Sequence, residues 1–200
     1  MTQVPNYSSI CILRLSAIGD VCHAVSAVQA IQKAHPNAKI TWVMGKIEDM
    51  LLADLPGVEL VVFDKKQGKD ALKKLAHSFK GQQFDVLLNM QVALRAGFVA
   101  RCIPAKVKIG FDWARSKELH SLFINKRIAP QKEAHVLEGF KGFAGAIGVK
   151  DYSPTWDMPY TLADENKADA LLGPAYLANK LLVISPAASK AQRNWLPERY

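Results

Sequence analysis

Ile12-Leu13-Arg14-Leu15-Ser16-Ala17-Ile18-Gly19-Asp20-Val21-Cys22-His23 is the stretch whose reading decides the fold. An apolar strand carrying one basic side chain breaks off at Ser16-Ala17-Ile18-Gly19, and a helix begins near Asp20. Strand, short loop and helix in that order place an acid, a cation and free backbone amides at one strand end, where open α/β sheets assemble their sites. The helix is expected over residues 20–35, with Val21, Ala24, Val25, Val28 and Ile31 on one face and Pro36 just beyond its end. Further strands read at 39–44, 59–63, 84–88 and 107–109, alternating with helices at 47–55, 69–80 and 92–102. The 84–88 run is nearly all apolar and so buried on both faces. This alternation predicts an α/β fold, a Rossmann-like parallel sheet with helices on both faces.

Beyond Gly110 the pattern loosens into a loop carrying Asp112, Arg115 and Lys117, followed by an apolar segment at 119–124. A helix is expected over 132–147, with Val136, Leu137, Phe140, Phe143, Ala144 and Ile147 on its buried side. Gly139, Gly142, Gly145 and Gly148 recur through it at three-residue intervals. Each interior glycine costs about 0.8–1 kcal/mol relative to alanine, so the expectation is close approach of another backbone, with Gly148 as the C-terminal cap. Residues 1–150 therefore read as one domain and 151–179 as a proline-bearing linker and connecting helix at 162–172. Residues 180–200 read as the start of a second domain, opening on an apolar strand at 180–185. A domain cannot consist of its first strand, loop and helix step, so the expectation is a fragment of a longer protein.

The formal net charge is +8, with a sequence pI near 9.4, which favours an anionic partner without choosing among nucleic acid, phosphorylated lipid and nucleotide. The start MTQVPNYSS has no basic region followed by an apolar one, and no apolar run reaches the roughly 18 residues of a membrane span. A cytoplasmic protein is expected. Cys11, Cys22 and Cys102 fall in a strand and two helices without CxxC or paired His/Cys spacing, so reduced thiols are expected and no metal site.

Motif by motif, the chemistry narrows. A dinucleotide fingerprint needs GxGxxG after strand one and an acid after strand two, but the loop has only Gly19 and the second strand ends at Met44-Gly45-Lys46. Asp20 reads either as a helix N-cap, worth about 1 kcal/mol, or as a catalytic carboxylate. Arg14 in an apolar strand needs a partner, with Asp20 as one candidate. His135 sits near a helix start, where the dipole favours a neutral imidazole, and His23 can share a face with Asp20.

The Ile12–His23 stretch resembles the N-terminal signature of the bacterial heptosyltransferases, glycosyltransferase family nine. The similarity continues through Gly110-Phe111-Asp112-Trp113, Ala134-His135-Val136 and Arg193-Asn194-Trp195-Leu196-Pro197, covering nearly the whole chain. It implies the N-terminal half of a two-domain GT-B enzyme that moves heptose from ADP-heptose to the lipopolysaccharide inner core with inversion. Asp20 is then the general base, and Arg14, Arg115, Lys117 and His135 bind the anionic acceptor, with Arg115 ranked first for its bidentate fork. Ser189, Lys190 and Arg193 are implied for the donor diphosphate, although Ala188 and the Gln192-Arg193 pair depart from close relatives. The resemblance implies no cofactor or metal beyond the donor substrate, no nucleic-acid partner, and peripheral contact with the inner membrane. The rival is a non-enzymatic basic α/β domain binding nucleic acid or another anion. Its expected stripe of cations with interleaved aromatics is missing, because the basic residues spread through most helices. A third reading, a nucleotide-sugar epimerase or dehydrogenase, lacks its fingerprint.

Overall fold

In the computed structural model, which describes residues 5–117, 119–173, 180–185, 188 and 191–199, the chain falls into two compact units, Met1–Pro159 and Tyr160–Tyr200. The first unit is built on β1 (Ser9–Leu13), whose side chains alternate between two cores. Ile10 and Ile12 join Val25, Val28, Phe140 and Phe143 on one face, and Cys11 and Leu13 join Leu75, Val99 and Ala100 on the other. With both faces covered, every second position cannot be polar, which is why this strand reads as a continuous apolar run. Each fully buried Ile or Leu contributes about 1.5–3 kcal/mol.

Around β1 lie β2 (Lys39–Gly45), β3 (Val58–Phe63), β4 (Phe84–Asn89), β5 (Ala105–Gly110) and β6 (Lys126–Arg127), all parallel, in the order β3-β2-β1-β4-β5-β6. Helices α1 (Ile18–Ala34) and α5 (Val136–Ala146) cover one face, α3 (Gly68–Ser78) and α4 (Leu94–Cys102) the other, and α2 (Lys46–Leu52) follows β2. Strand order reverses between β1 and β4, so the crevice outside their C-terminal ends is the topological switch point. Sequence periodicity missed β6, whose two residues pair as Ile109↔Lys126 and Gly110↔Arg127 and are too few to show alternation.

Two expectations are corrected, for the α5 glycines and for the strand at 180–185. The glycines of α5 do not admit another backbone: Gly139 faces Phe111 and Arg115, Gly142 faces Gln131 and Ile128, and Gly145 faces open space. Gly139 and Gly142 make room for side chains of the preceding loop. Gly148, at φ +96°, does follow the helix end in a conformation that suits glycine. Residues 151–159 pack along α1: Tyr152 bonds Ser26 at 2.7 Å, Trp156 donates to the Cys22 carbonyl at 2.9 Å, and Thr155 donates to Gln29 at 2.8 Å.

In the second unit, α6 (Leu162–Leu172) is opened by a capping box between Thr161 and Asp164. The expected strand at 180–185 is not formed: these residues are exposed and have no ladder partner among the described residues. A lone apolar segment cannot become a strand without a neighbour to bond. No helix among the described residues is long and apolar enough to cross a membrane.

Candidate active site

The loop leaving β1 places Arg14 and Asp20 at the switch point. α1 begins at Ile18, so Asp20 is its third residue and not the N-cap; its Oδ2 instead reaches back to the Ala17 N–H at 3.4 Å. The same oxygen ion-pairs with Arg14 Nη2. Oδ1 has no hydrogen-bonding partner among the described residues. Arg14 is nearly buried: its Nη1 donates to the Met90 carbonyl at 2.6 Å, and its guanidinium lies 5.6 Å from the centre of the Phe140 ring. Burial pulls its pKa below the ordinary value, and the charges of Asp20 and Glu48 oppose that pull. Arginine keeps its proton regardless, so the Arg14–Asp20 pair is a fixed dipole at the sheet's C-terminal edge.

Gln91, beyond the end of β4, accepts from the Leu15 N–H at 2.7 Å and donates to Ser16 Oγ at 3.4 Å, which ties the β1 loop to its neighbour. Beside this loop opens a cavity of 540 Å³ at the C-terminal ends of β1, β2 and β3. Its lining includes Ser16, Glu48 and Gln91 with four cations, Lys46, Lys65, Lys66 and Arg95. Sequence reading passed over all of these. The available signal was position, because each stands just after a strand in a doubly wound sheet, but charge alone does not separate them from other surface lysines.

On the other side of Arg14 lies the start of α5. His135 is its N-cap: Nδ1 accepts from the Leu137 N–H at 3.2 Å, which leaves the proton on Nε2. The ring is exposed and meets the His23 ring edge-on, 5.6 Å between centres, so α1 and α5 present two imidazoles together. Arg115, ranked first as an acceptor cation, is already engaged. It donates to buried Asp112 at 2.9 Å and to the Glu133 carbonyl, and its side chain is only 18% exposed. Asp112 also accepts from the Arg115 N–H at 2.8 Å and the Gln131 N–H at 3.3 Å. Burial raises its pKa, yet these donors outweigh it and the net shift is downward. Lys117 in the same loop is exposed. The loop is further braced by Arg127, which donates to the Phe111 carbonyl and stacks 3.6 Å over Trp113, and by buried His120, which accepts from the Phe111 N–H at 3.2 Å.

Arg14, Asp20, Arg115 and His135 thus gather around the N-terminal half of α5, through Phe140, Gly139, Glu133 and the His23 contact. Arg193 lies in the second unit, exposed, in a short 3-10 turn (Ala191–Arg193); Ser189 and Lys190 lie outside the described residues.

The sequence model described as glycosyltransferase family 9 (heptosyltransferase) matches residues 72–200. A lipopolysaccharide core heptosyltransferase, OpsX of Haemophilus influenzae, is 45% identical over 199 residues, covering 100% of this chain and 56% of that protein. Lipopolysaccharide heptosyltransferase 1 of Escherichia coli is 24% identical over 166 residues, 77% of this chain and 51% of that one. The chain spans about half the length of the curated relatives it matches. Among solved structures, a glycosyl transferase family 9 protein from Veillonella parvula superposes with TM-score 0.76 at 20% identity, over 98% of this chain and 58% of its own. The E. coli heptosyltransferase WaaC with ADP gives 0.69 at 22% identity, over 95% and 60%. At these identities the structural likeness speaks for the fold.

Proposed function

Because the chain belongs to glycosyltransferase family 9 (heptosyltransferase), we propose that the full protein transfers heptose from ADP-heptose to the inner core of lipopolysaccharide, inverting the anomeric carbon. The observation that carries this reading is Asp20, a carboxylate at the switch point with one oxygen held by Arg14 and the other open among the described residues. An acceptor hydroxyl attacks the anomeric carbon as the bond to ADP breaks, and Asp20 Oδ1 takes the hydroxyl proton. An ordinary carboxylate suffices, because that proton becomes acidic once its oxygen bonds to the sugar. Arg14 holds the base in place.

On this reading residues 1–159 hold the acceptor. Lys117 and His135 meet its anionic groups, the cavity cations Lys46, Lys65, Lys66 and Arg95 extend that surface, and Arg115 shapes the loop from within. Ser189, Lys190 and Arg193 belong to the donor side, where cations and amide N–H groups stabilise the departing diphosphate without a dedicated metal. The solved WaaC complex with ADP-2-deoxy-2-fluoro heptose supports a sugar nucleotide as donor. The reaction takes place on the cytoplasmic side of the inner membrane.

The test incubates the full-length protein with ADP-heptose and Kdo-terminated lipid A, and follows ADP release and the acceptor mass. One heptose added per ADP released is expected. No transfer to any Kdo- or heptose-terminated acceptor overturns the proposal.

A further inference from the structure

Glu48, in the first turn of α2, lines the 540 Å³ cavity beside the β1 loop and is only 7% exposed. Burying a carboxylate costs heavily unless donors replace its water. Among the described residues Glu48 accepts no hydrogen bond and forms no ion pair, although four cations line the same cavity. Two other polar residues of the lining are engaged: Asp64 accepts from the Lys66 N–H at 2.9 Å and from Gln67 at 3.4 Å, and Gln91 holds the Leu15 N–H and Ser16 Oγ. The dipole of α2 favours an acid in its first turn, but a solvent-facing glutamate would gain that equally, so the dipole does not explain the burial. Gly45 makes the space, since a side chain there would collide with Glu48 Oε2 and the Leu15 carbonyl. The charge of Glu48 is felt at Arg14, the partner of Asp20, so the cavity adjoins the proposed base.

We propose that Glu48 determines acceptor specificity by accepting hydrogen bonds from hydroxyls of an anionic sugar whose acidic group meets the cavity cations. The inference rests on the transfer reading and names the part of the acceptor that this cavity reads. A ligand that satisfies a buried carboxylate brings O–H or N–H donors, and one that satisfies several cations brings phosphate or carboxylate. A sugar acid carries both on one ring, and adjacent hydroxyls can donate to the two oxygens of Glu48 together. A polyphosphate would meet the cations but offer Glu48 only repulsion, so the site discriminates against plain anions. An acceptor lacking those hydroxyls leaves the carboxylate buried and unpaired, and discrimination comes from that loss as much as from the bonds made.

Calorimetric titration of the full-length protein with the deacylated, soluble Kdo-terminated acceptor, donor absent, tests this without turnover. Glu48→Gln weakens binding about ten- to a hundredfold, the range of a hydrogen bond to a charged group. It leaves the KM for ADP-heptose unchanged and melts at or above the wild-type temperature, because an unpaired buried charge has been removed. Monodeoxy analogues of the acceptor locate the contact. At least one binds the wild type more weakly by a similar factor, yet binds Glu48→Gln as well as the parent acceptor does. The proposal is overturned if the wild type does not bind the acceptor, or if Glu48→Gln binds it equally well. It also fails if the substitution weakens every analogue by the same factor as the parent, or lowers the melting temperature as loss of a structural acid would. Transfer of heptose without that coupling keeps the transfer reading and removes the role of Glu48. Coupled binding without transfer to any acceptor removes the transfer reading and leaves the cavity as a sugar-acid site.

Discussion

Asp85 and Asp20 stand at opposite edges of one parallel sheet, and each is paired with a cation. At the N-terminal edge, Asp85 accepts from the Ser8 N–H at 2.9 Å, Ser8 Oγ at 2.7 Å, the Ser9 N–H at 3.1 Å and Lys106 at 2.7 Å. Lys106 first, and then Ser8, hold its pKa well below the usual carboxylate range. At the C-terminal edge, Asp20 gathers Arg14 and the Ala17 N–H on one oxygen and, among the described residues, keeps the other open. A carboxylate with both oxygens engaged is a structural clamp, whereas one with an oxygen to spare can take a proton. Parallel topology explains the placement, because amide donors at helix starts and loops long enough to shape a site collect at the C-terminal ends of the strands.

The sharpest way to break that comparison is to neutralise both acids. Asp20→Asn should lower kcat by about 10²–10⁴ with the melting temperature nearly unchanged, since general-base catalysis contributes that much and the amide keeps the Ala17 contact. Asp85→Asn should do the reverse, costing about 1–3 kcal/mol in denaturant titrations with turnover of the folded fraction intact. A loss of stability in the Asp20 variant equal to that of the Asp85 variant would make Asp20 another clamp.

A somewhat smaller effect is expected at the 111–117 loop. Arg115→Ala leaves buried Asp112 without its cation and should cost about 3 kcal/mol of stability. Denaturant titration beside acceptor kinetics checks this: a raised acceptor KM with unchanged stability would return Arg115 to direct acceptor contact.

His120 extends the comparison to pH. Burial first, and the nearby Arg127 charge second, pull its pKa from 6.5 to about 4. Between those values the unfolded chain holds the proton and the folded chain does not. Stability is therefore full above pH 6.5 and falls as pH drops toward 4, by on the order of 2 kcal/mol. The Asp85 contribution is lost only below about pH 3.9, where an unfolded aspartate itself takes the proton. A His120→Gln variant should flatten the upper part of this acid limb in urea melts at stepped pH, and an unchanged limb would assign it to another group. The smallest effect belongs to Lys117→Ala, a rise of severalfold in acceptor KM that shrinks as salt is added, with donor KM unmoved.

Much of this was legible along the chain. The strand and helix sequence of the first unit follows from apolar periodicity, because a central strand covered on both faces has to be a continuous apolar run. Arg14 and Asp20 could be placed together since they flank one short loop. Local patterning could not show that Asp112 captures Arg115, or that His120 is buried against Phe111, because both depend on how a nonrepetitive loop folds back over α5. The glycines of α5 announced close approach without saying that side chains make it.

Sequence alone determined the alternating α/β pattern, the acid and arginine at the end of the first strand, and the family resemblance carried by that stretch, since these depend on neighbours a few positions apart. Only the tertiary structure decided which cations line the cavity, that a buried acid sits among them, and which carboxylate keeps a free oxygen. Those properties arise where strands adjacent in space but distant in sequence bring their ends together, and strand order is set by packing of the whole sheet.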